Sequence, residues 1–240
     1  MRIIVSMWSG PRNISTTMMR SFGARADARV LDEPFYACYL ARSGAAHPYR
    51  EETLARYPAT VDGVLDWIAR AADGEGLLFL KHIAYHLPDG IDLSFLLGHR
   101  NFLLIRDPRA MVASYAQKSA DVAPIADSFA VARRIARRLA EARLPCPVVD
   151  AADILAAPAA LLATLCAALG VPFDPAMLAW RAGPHPEDGP WAPHWYEAVY
   201  ASTGFRPSVD KKPSLPRPLQ AIAERSAADY RALAAGRLTA

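Results

Sequence analysis

Cysteine is scarce in this chain. Cys38, Cys146 and Cys166 are the only three among 240 residues, widely spaced and never in a Cys-x-x-Cys pair, which excludes a disulfide framework and a zinc site as organisers of the fold. A reducing cytoplasmic setting suits that usage. No apolar run approaches the roughly 20 residues that would span a bilayer, and the N-terminus enters a strand directly, without the leader and small-residue cleavage site of an export signal. A soluble cytoplasmic protein without a membrane partner is therefore expected. Charge of one sign is also lacking: 27 basic residues stand against 24 acidic ones, a formal net charge of +3, too mild for a nucleic-acid binder. The one basic concentration, Arg133-Arg134 with Arg137-Arg138, recurs at helical spacing and reads as a solvated helix face. His47, His99 and His185 have no Asp, Glu or Cys at ligand spacing, so no metal is expected. There is no internal repeat and no low-complexity tract.

What is present is alternation. Strands are expected near 2–9, 28–32, 76–83, 100–106 and 145–150, and helices near 14–25, 61–73, 109–119, 124–143, 157–169 and 215–235. Such alternation predicts an α/β fold, a three-layer α/β/α sandwich around a mostly parallel central sheet, with residues 1–240 forming one domain. The strand cores Arg2–Val5, Gly76–Leu80 and Asn101–Ile105 are near-continuous apolar runs, as strands buried on both faces require. The stretch 183–218, rich in proline and carrying Trp191, His194, Trp195 and Tyr196, reads as a long irregular segment of the kind that forms lids or binding loops. Trp191, Trp195, Tyr196 and Tyr200 could line a pocket there or pack as core.

Two strand-loop-helix units carry anion chemistry. After the first strand, Gly10-Pro11-Arg12-Asn13-Ile14-Ser15-Thr16-Thr17 offers backbone N–H groups, three hydroxyls, an amide and a permanent guanidinium, all donors to phosphate oxygens. It lacks the Gly-Lys-Ser/Thr of a nucleotide triphosphatase, whose lysine and magnesium-binding hydroxyl handle the β- and γ-phosphates. In Phe102–Ser114, an apolar strand ends in Arg106, a helix starts at Pro108, and Ser114 lies eight residues past the arginine. An arginine at a strand's carboxyl end and a hydroxyl on the next helix can converge in the crevice where open α/β sheets bind ligands. Two such units predict a ligand with two separated phosphates.

These motifs resemble the sulfotransferase family that uses 3′-phosphoadenosine 5′-phosphosulfate (PAPS). Pro11–Thr16 matches its 5′-phosphosulfate loop, with Arg12 at the basic position and Ile14 where a glycine is common; Leu103–Ser114 matches its 3′-phosphate motif. The resemblance extends more weakly over Val148–Trp180 and Ser202–Phe205. It implies a P-loop nucleotide-binding type of fold, PAPS as co-substrate, a small-molecule hydroxyl or amine as acceptor, and no metal. It places Pro11, Arg12, Asn13, Ser15, Thr16, Thr17, Arg106 and Ser114 on the donor, and Arg12, Lys81 and a general base at the reaction. Lys81-His82 resembles a Lys-Thr-His segment in which the histidine is the base, and Asp32-Glu33-Pro34-Phe35 resembles a segment in which a glutamate is. Glu33 and His82 therefore both stand as bases, with His86 a further candidate. A kinase-like phosphotransferase and a non-catalytic nucleotide-binding protein of the same fold are the rival readings.

Overall fold

The computed structural model describes residues 1–119, 121–207 and 213–240. Its centre is a five-stranded, wholly parallel sheet of β1 (Ile3–Ser9), β2 (Ala28–Asp32), β3 (Leu77–Ile83), β4 (Arg100–Ile105) and β5 (Val148–Asp150), in the order β2-β3-β1-β4-β5. The period-2 alternation of side chains divides each strand between two cores. On one face Val5, Met7, Leu77, Phe79, Phe102 and Leu104 pack with α1 (Ser15–Gly23), α2 (Tyr36–Ser43) and α8 (Pro158–Leu169); the Phe22 and Phe79 rings stack there at 4.2 Å. On the other, Trp8, Leu78, Leu80, Leu103 and Ile105 pack with α4 (Val61–Ala71), α5 (Pro108–Tyr115), α6 (Pro124–Glu141) and α11 (Arg217–Ala234). This is the α/β/α layering expected of the sequence. Three arginines of the basic stretch in α6 lie on its outer side in ion pairs: Arg133 with Asp229, Arg134 with Asp89 and Arg137 with Glu141.

The short helices are where the sequence reading fell silent. α2, α3 (Arg50–Arg56) and α7 (Ala151–Ala156) were not expected, and each has eight residues or fewer, too short to display an apolar period. α7 and α8 are divided at Ala157, since Pro158 excludes helical geometry at the residue before it. Asp107 sets the start of α5, accepting from Arg109 N at 2.7 Å with Pro108 in the first turn.

The order of strands makes the site. From β1 the chain crosses toward β3 and β2, and from β4 toward β5, so the loops leaving these neighbouring strands diverge and open a crevice at their carboxyl ends. The irregular segment forms one wall of it. Of its expected span, residues 208–212 lie outside the described residues; residues 183–207 include two one-turn helices, α9 (Ala192–Trp195) and α10 (Glu197–Tyr200). Arg20, on α1 and 1% exposed, fastens this segment through Asp188 at 2.7 Å and Glu187 at 3.5 Å.

Arg20→Met should therefore destabilise the fold by about 3 kcal/mol or more, because it strands the buried Asp188 carboxylate without its cation. Urea unfolding measures this, and a loss below about 1 kcal/mol would show that the pair does not anchor the segment.

Candidate functional site

The loop after β1 is shaped by two residues in the left-handed region, Arg12 at φ 60° and Ile14 at φ 50°. Alternating conformations of this kind curl the backbone into a concavity whose N–H groups suit an anion. Ile14 is the N-terminal boundary residue of α1 and makes no side-chain cap bond, which leaves the first N–H groups of α1 available to a ligand. A left-handed β-branched residue costs about 1–2 kcal/mol, and packing of Ile14 on the core beneath α1 opposes that cost. Ile14 thus takes a conformation that glycine, usual at this place in the resembling family, would adopt freely. Gly10 has its own constraint, since a Cβ there would collide with the Met111 side chain on α5.

The two anion loops are tied together. Asn13 donates its amide N–H to the Leu104 carbonyl of β4. Arg106 Nη1 donates to the Arg12 carbonyl at 2.8 Å, and Arg12 Nε donates to Ser114 Oγ at 3.1 Å. Arg12 Nη1 also reaches the Trp195 carbonyl at 3.3 Å, joining the loop to the 183–207 wall. Burial, together with the neighbouring Arg106 charge, lowers the pKa of the Arg12 guanidinium. Two partly dehydrated cations side by side favour an anion between them.

Across the crevice, the ends of β2 and β3 hold a buried charge cluster. Lys81 Nζ donates to Asp32 Oδ1 at 2.9 Å, Glu33 Oε1 at 2.5 Å and Tyr196 Oη at 2.6 Å. Tyr196 Oη donates in turn to Asp32, with its oxygens at 2.7 and 2.9 Å, and accepts from Trp191 Nε1 at 3.0 Å. Burial alone would lower the Lys81 pKa; Asp32 and Glu33 outweigh it and raise it. Glu33, at φ 48°, is raised to about 7, first by burial and then by the Asp32 charge, against the pull of Lys81. One cation between two carboxylates leaves Glu33 able to take up a proton near neutrality.

All of Pro11, Arg12, Asn13, Ser15, Thr16, Thr17, Glu33, Lys81, Arg106 and Ser114 line one cavity. His82 does not. Alternation along β3 turns it to the opposite face from Lys81, where its ring stacks on Trp8 at 4.0 Å and burial pushes its pKa well below 6.5. His86 does line the cavity, with its ring stacked on both Tyr36 and Tyr39 and Nδ1 3.6 Å from Glu33 Oε2; burial lowers its pKa strongly as well. The sequence reading did not single out Tyr36, His47, Tyr85 and Tyr115, which complete the wall near Glu33. Asp32, noted there only as the neighbour of Glu33, and Tyr196, one of four aromatics, are joined by the lysine. Among the described residues no group of three or more His, Cys, Asp or Glu is placed to hold a metal ion, and no helix is long and apolar enough to cross a membrane.

A parallel α/β sheet with two arginine-bearing loops meeting at its switch point is an arrangement suited to an anion. More particularly, residues 1–233 match the family model described as Sulfotransferase domain, and the chain belongs to that family. It is 34% and 36% identical over 202 residues to branched-chain-amino-acid aminotransferase-like proteins 1 and 2 of Arabidopsis thaliana; the matches take in 84% of this chain and 36% of each relative, so the chain spans about a third of their length. Two solved structures share the fold. The sulfotransferase domain of the Synechococcus PCC 7002 olefin synthase aligns with TM-score 0.51 at 18% identity over 95% of this chain and 94% of its own. The sulfotransferase domain from the curacin biosynthetic pathway aligns with TM-score 0.54 at 14% identity over 100% and 99%.

The Glu33 environment has a consequence for stability. Its pKa is higher folded, about 7, than its ordinary 4.5, so the stability it contributes is complete below pH 4.5 and is lost as pH rises through 7. Glu33→Gln should flatten the decline in unfolding free energy between about pH 5 and pH 8. An unchanged slope in chemical denaturation across that range would show that Glu33 is not the titrating group.

Proposed function

We propose that residues 1–240 act as one domain that transfers a sulfuryl group from PAPS to a hydroxyl or amine of a small acceptor, in the cytoplasm and without a metal. The observation that carries this reading is the joining of Arg12, Arg106 and Ser114 at one crevice, in a chain of the sulfotransferase family. The donor set suits the co-substrate: the curled loop and open N-terminus of α1 for the 5′-phosphosulfate, Arg106 and Ser114 for the 3′-phosphate. Pro11, Asn13, Ser15, Thr16 and Thr17 complete the first cradle.

Glu33 is the general base in this scheme. It takes the proton of the acceptor hydroxyl while that oxygen forms its bond to sulfur, and the bond from sulfur to the phosphate oxygen breaks. The leaving oxygen gains charge, which Arg12 and Lys81 are placed to neutralise. Glu33 is preferred to His82 because it lines the cavity, with a pKa near working pH, while His82 packs beneath Trp8. Glu33→Gln should lower kcat by about a hundredfold or more with donor affinity nearly intact, whereas His82→Asn, corrected for stability, should leave kcat within a few-fold; the reverse result would transfer the role to His82.

The donor half of the proposal is tested separately. By calorimetry the protein should bind 3′,5′-adenosine bisphosphate about tenfold to hundredfold more tightly than 5′-AMP, without magnesium, since a charge-assisted bond from Arg106 is worth about 1–3 kcal/mol. Arg106→Ala should erase most of that preference, with a smaller loss of AMP affinity because the Arg12 loop also loses its bond to Arg106. Tighter, magnesium-dependent binding of ATP would overturn the sulfotransferase reading in favour of a phosphotransferase.

A further inference from the structure

A second cavity adjoins the first, and its chemistry is of the opposite sign. Tyr85 and His86 line both. Beyond them the second is bordered by Tyr39, Asp89, Asp121 and Asp127, with Arg42 as its one lining cation. Asp89 is engaged by Arg134 at 3.2 Å, while among the described residues Asp121 and Asp127 form no direct ion pair, although the Arg225 charge is felt at Asp127. The Asp121 charge is also felt at Tyr39, His47 and Tyr115, so it acts on the mouth of the first cavity too.

The wall between the cavities is aromatic. The Tyr39 and Tyr85 rings meet edge to face at 5.1 Å and 90°, and one face of Tyr39 is taken by His86 at 4.9 Å. His86, 3% exposed, sits in that wall with both ring nitrogens lacking a hydrogen-bond partner. A buried polar ring with unused donor and acceptor capacity lining a cavity marks a place where a ligand supplies the missing bond. Ring faces backed by carboxylates are an environment for an organic cation.

Resting on the sulfuryl-transfer reading, we infer that the acceptor is a hydroxyl compound that also carries an ammonium group, held with its hydroxyl at Glu33 and its cation beside Tyr39 and Tyr85, toward Asp121 and Asp127. The two ends of the crevice then orient it. Arg12 and Arg106 repel an ammonium from the donor side, where Lys81 is already offset by Asp32 and Glu33, and the acidic side draws it outward, which leaves the hydroxyl facing the sulfur. The bonds made and broken are those of the transfer described above, and the ammonium group takes no part in them.

The test uses matched pairs: trimethylammonium alcohols of graded chain length and their uncharged tert-butyl counterparts. With the phosphosulfate donor, kcat/KM should favour the ammonium member of the best pair by about tenfold, and calorimetry on the protein loaded with 3′,5′-adenosine bisphosphate should show the same preference in binding. In Asp121→Asn/Asp127→Asn the ratio between the two members should fall toward one. Equal or reversed preference, no binding of either member, or a ratio that survives the double substitution would overturn the inference. Failure of the bisphosphate itself to bind would count instead against the sulfotransferase reading, and the pairs would then be compared on the unloaded protein, where the same outcomes decide the question.

Discussion

The ammonium of Lys81 is the constraint on which the site depends. At 1% exposure it is withdrawn from water, so the chain must supply its solvation, and it does so from two separated stretches: the end of β2 and the 183–207 segment. Removing one partner of such a cluster leaves an uncompensated buried charge, at a cost of about 3–5 kcal/mol. The same bonds that hold the wall segment against the sheet also hold Glu33 in place, and they pull its pKa down against the burial and the Asp32 charge that raise it. Packing of the wall and the protonation of Glu33 are therefore coupled.

The large-scale fold was legible because each strand is an apolar run between loop signals, and all five expected strands formed within a few residues of their expected bounds. The meeting of the two arginine-bearing loops was legible for a similar reason: Arg12, Arg106 and Ser114 belong to contiguous strand-loop-helix units, so local spacing carried their placement. The Lys81 cluster is different. Tyr196 lies 115 residues from Lys81 in the chain, in a proline-rich segment without periodicity, and no local pattern joins them. Nothing next to Asp32 in the chain marks its partner either, a buried lysine 49 residues on. One signal could have separated the histidines beforehand. If Lys81 faces the crevice, alternation along β3 sends His82 to the other layer, and only a residue past the strand's end, such as His86, is free to return.

The crevice is electrically divided along its length. One end is built from guanidinium groups and backbone N–H dipoles, the middle from tyrosines and histidines, and the far end from carboxylates. A gradient of this kind orients a bound molecule by its charge distribution before any close contact forms, and low-dielectric aromatic walls strengthen the field inside it. The fold is shared with sulfotransferase domains of 14% and 18% identity, so the sheet and layers withstand near-complete replacement of side chains. What distinguishes this chain has to be sought in the walls.

Arg106 donates to the carbonyl of Arg12, 94 residues earlier in the chain. Because that acceptor is backbone, the bond is indifferent to which side chain stands at position 12, yet it fixes where the first loop lies relative to the second. The spacing between the two loops is thus set like the jaws of a caliper. An insertion or deletion in either loop would change the gauge even if every recognisable motif residue were kept. The length of each loop is therefore constrained by the length of the other, whichever side chain stands at position 12.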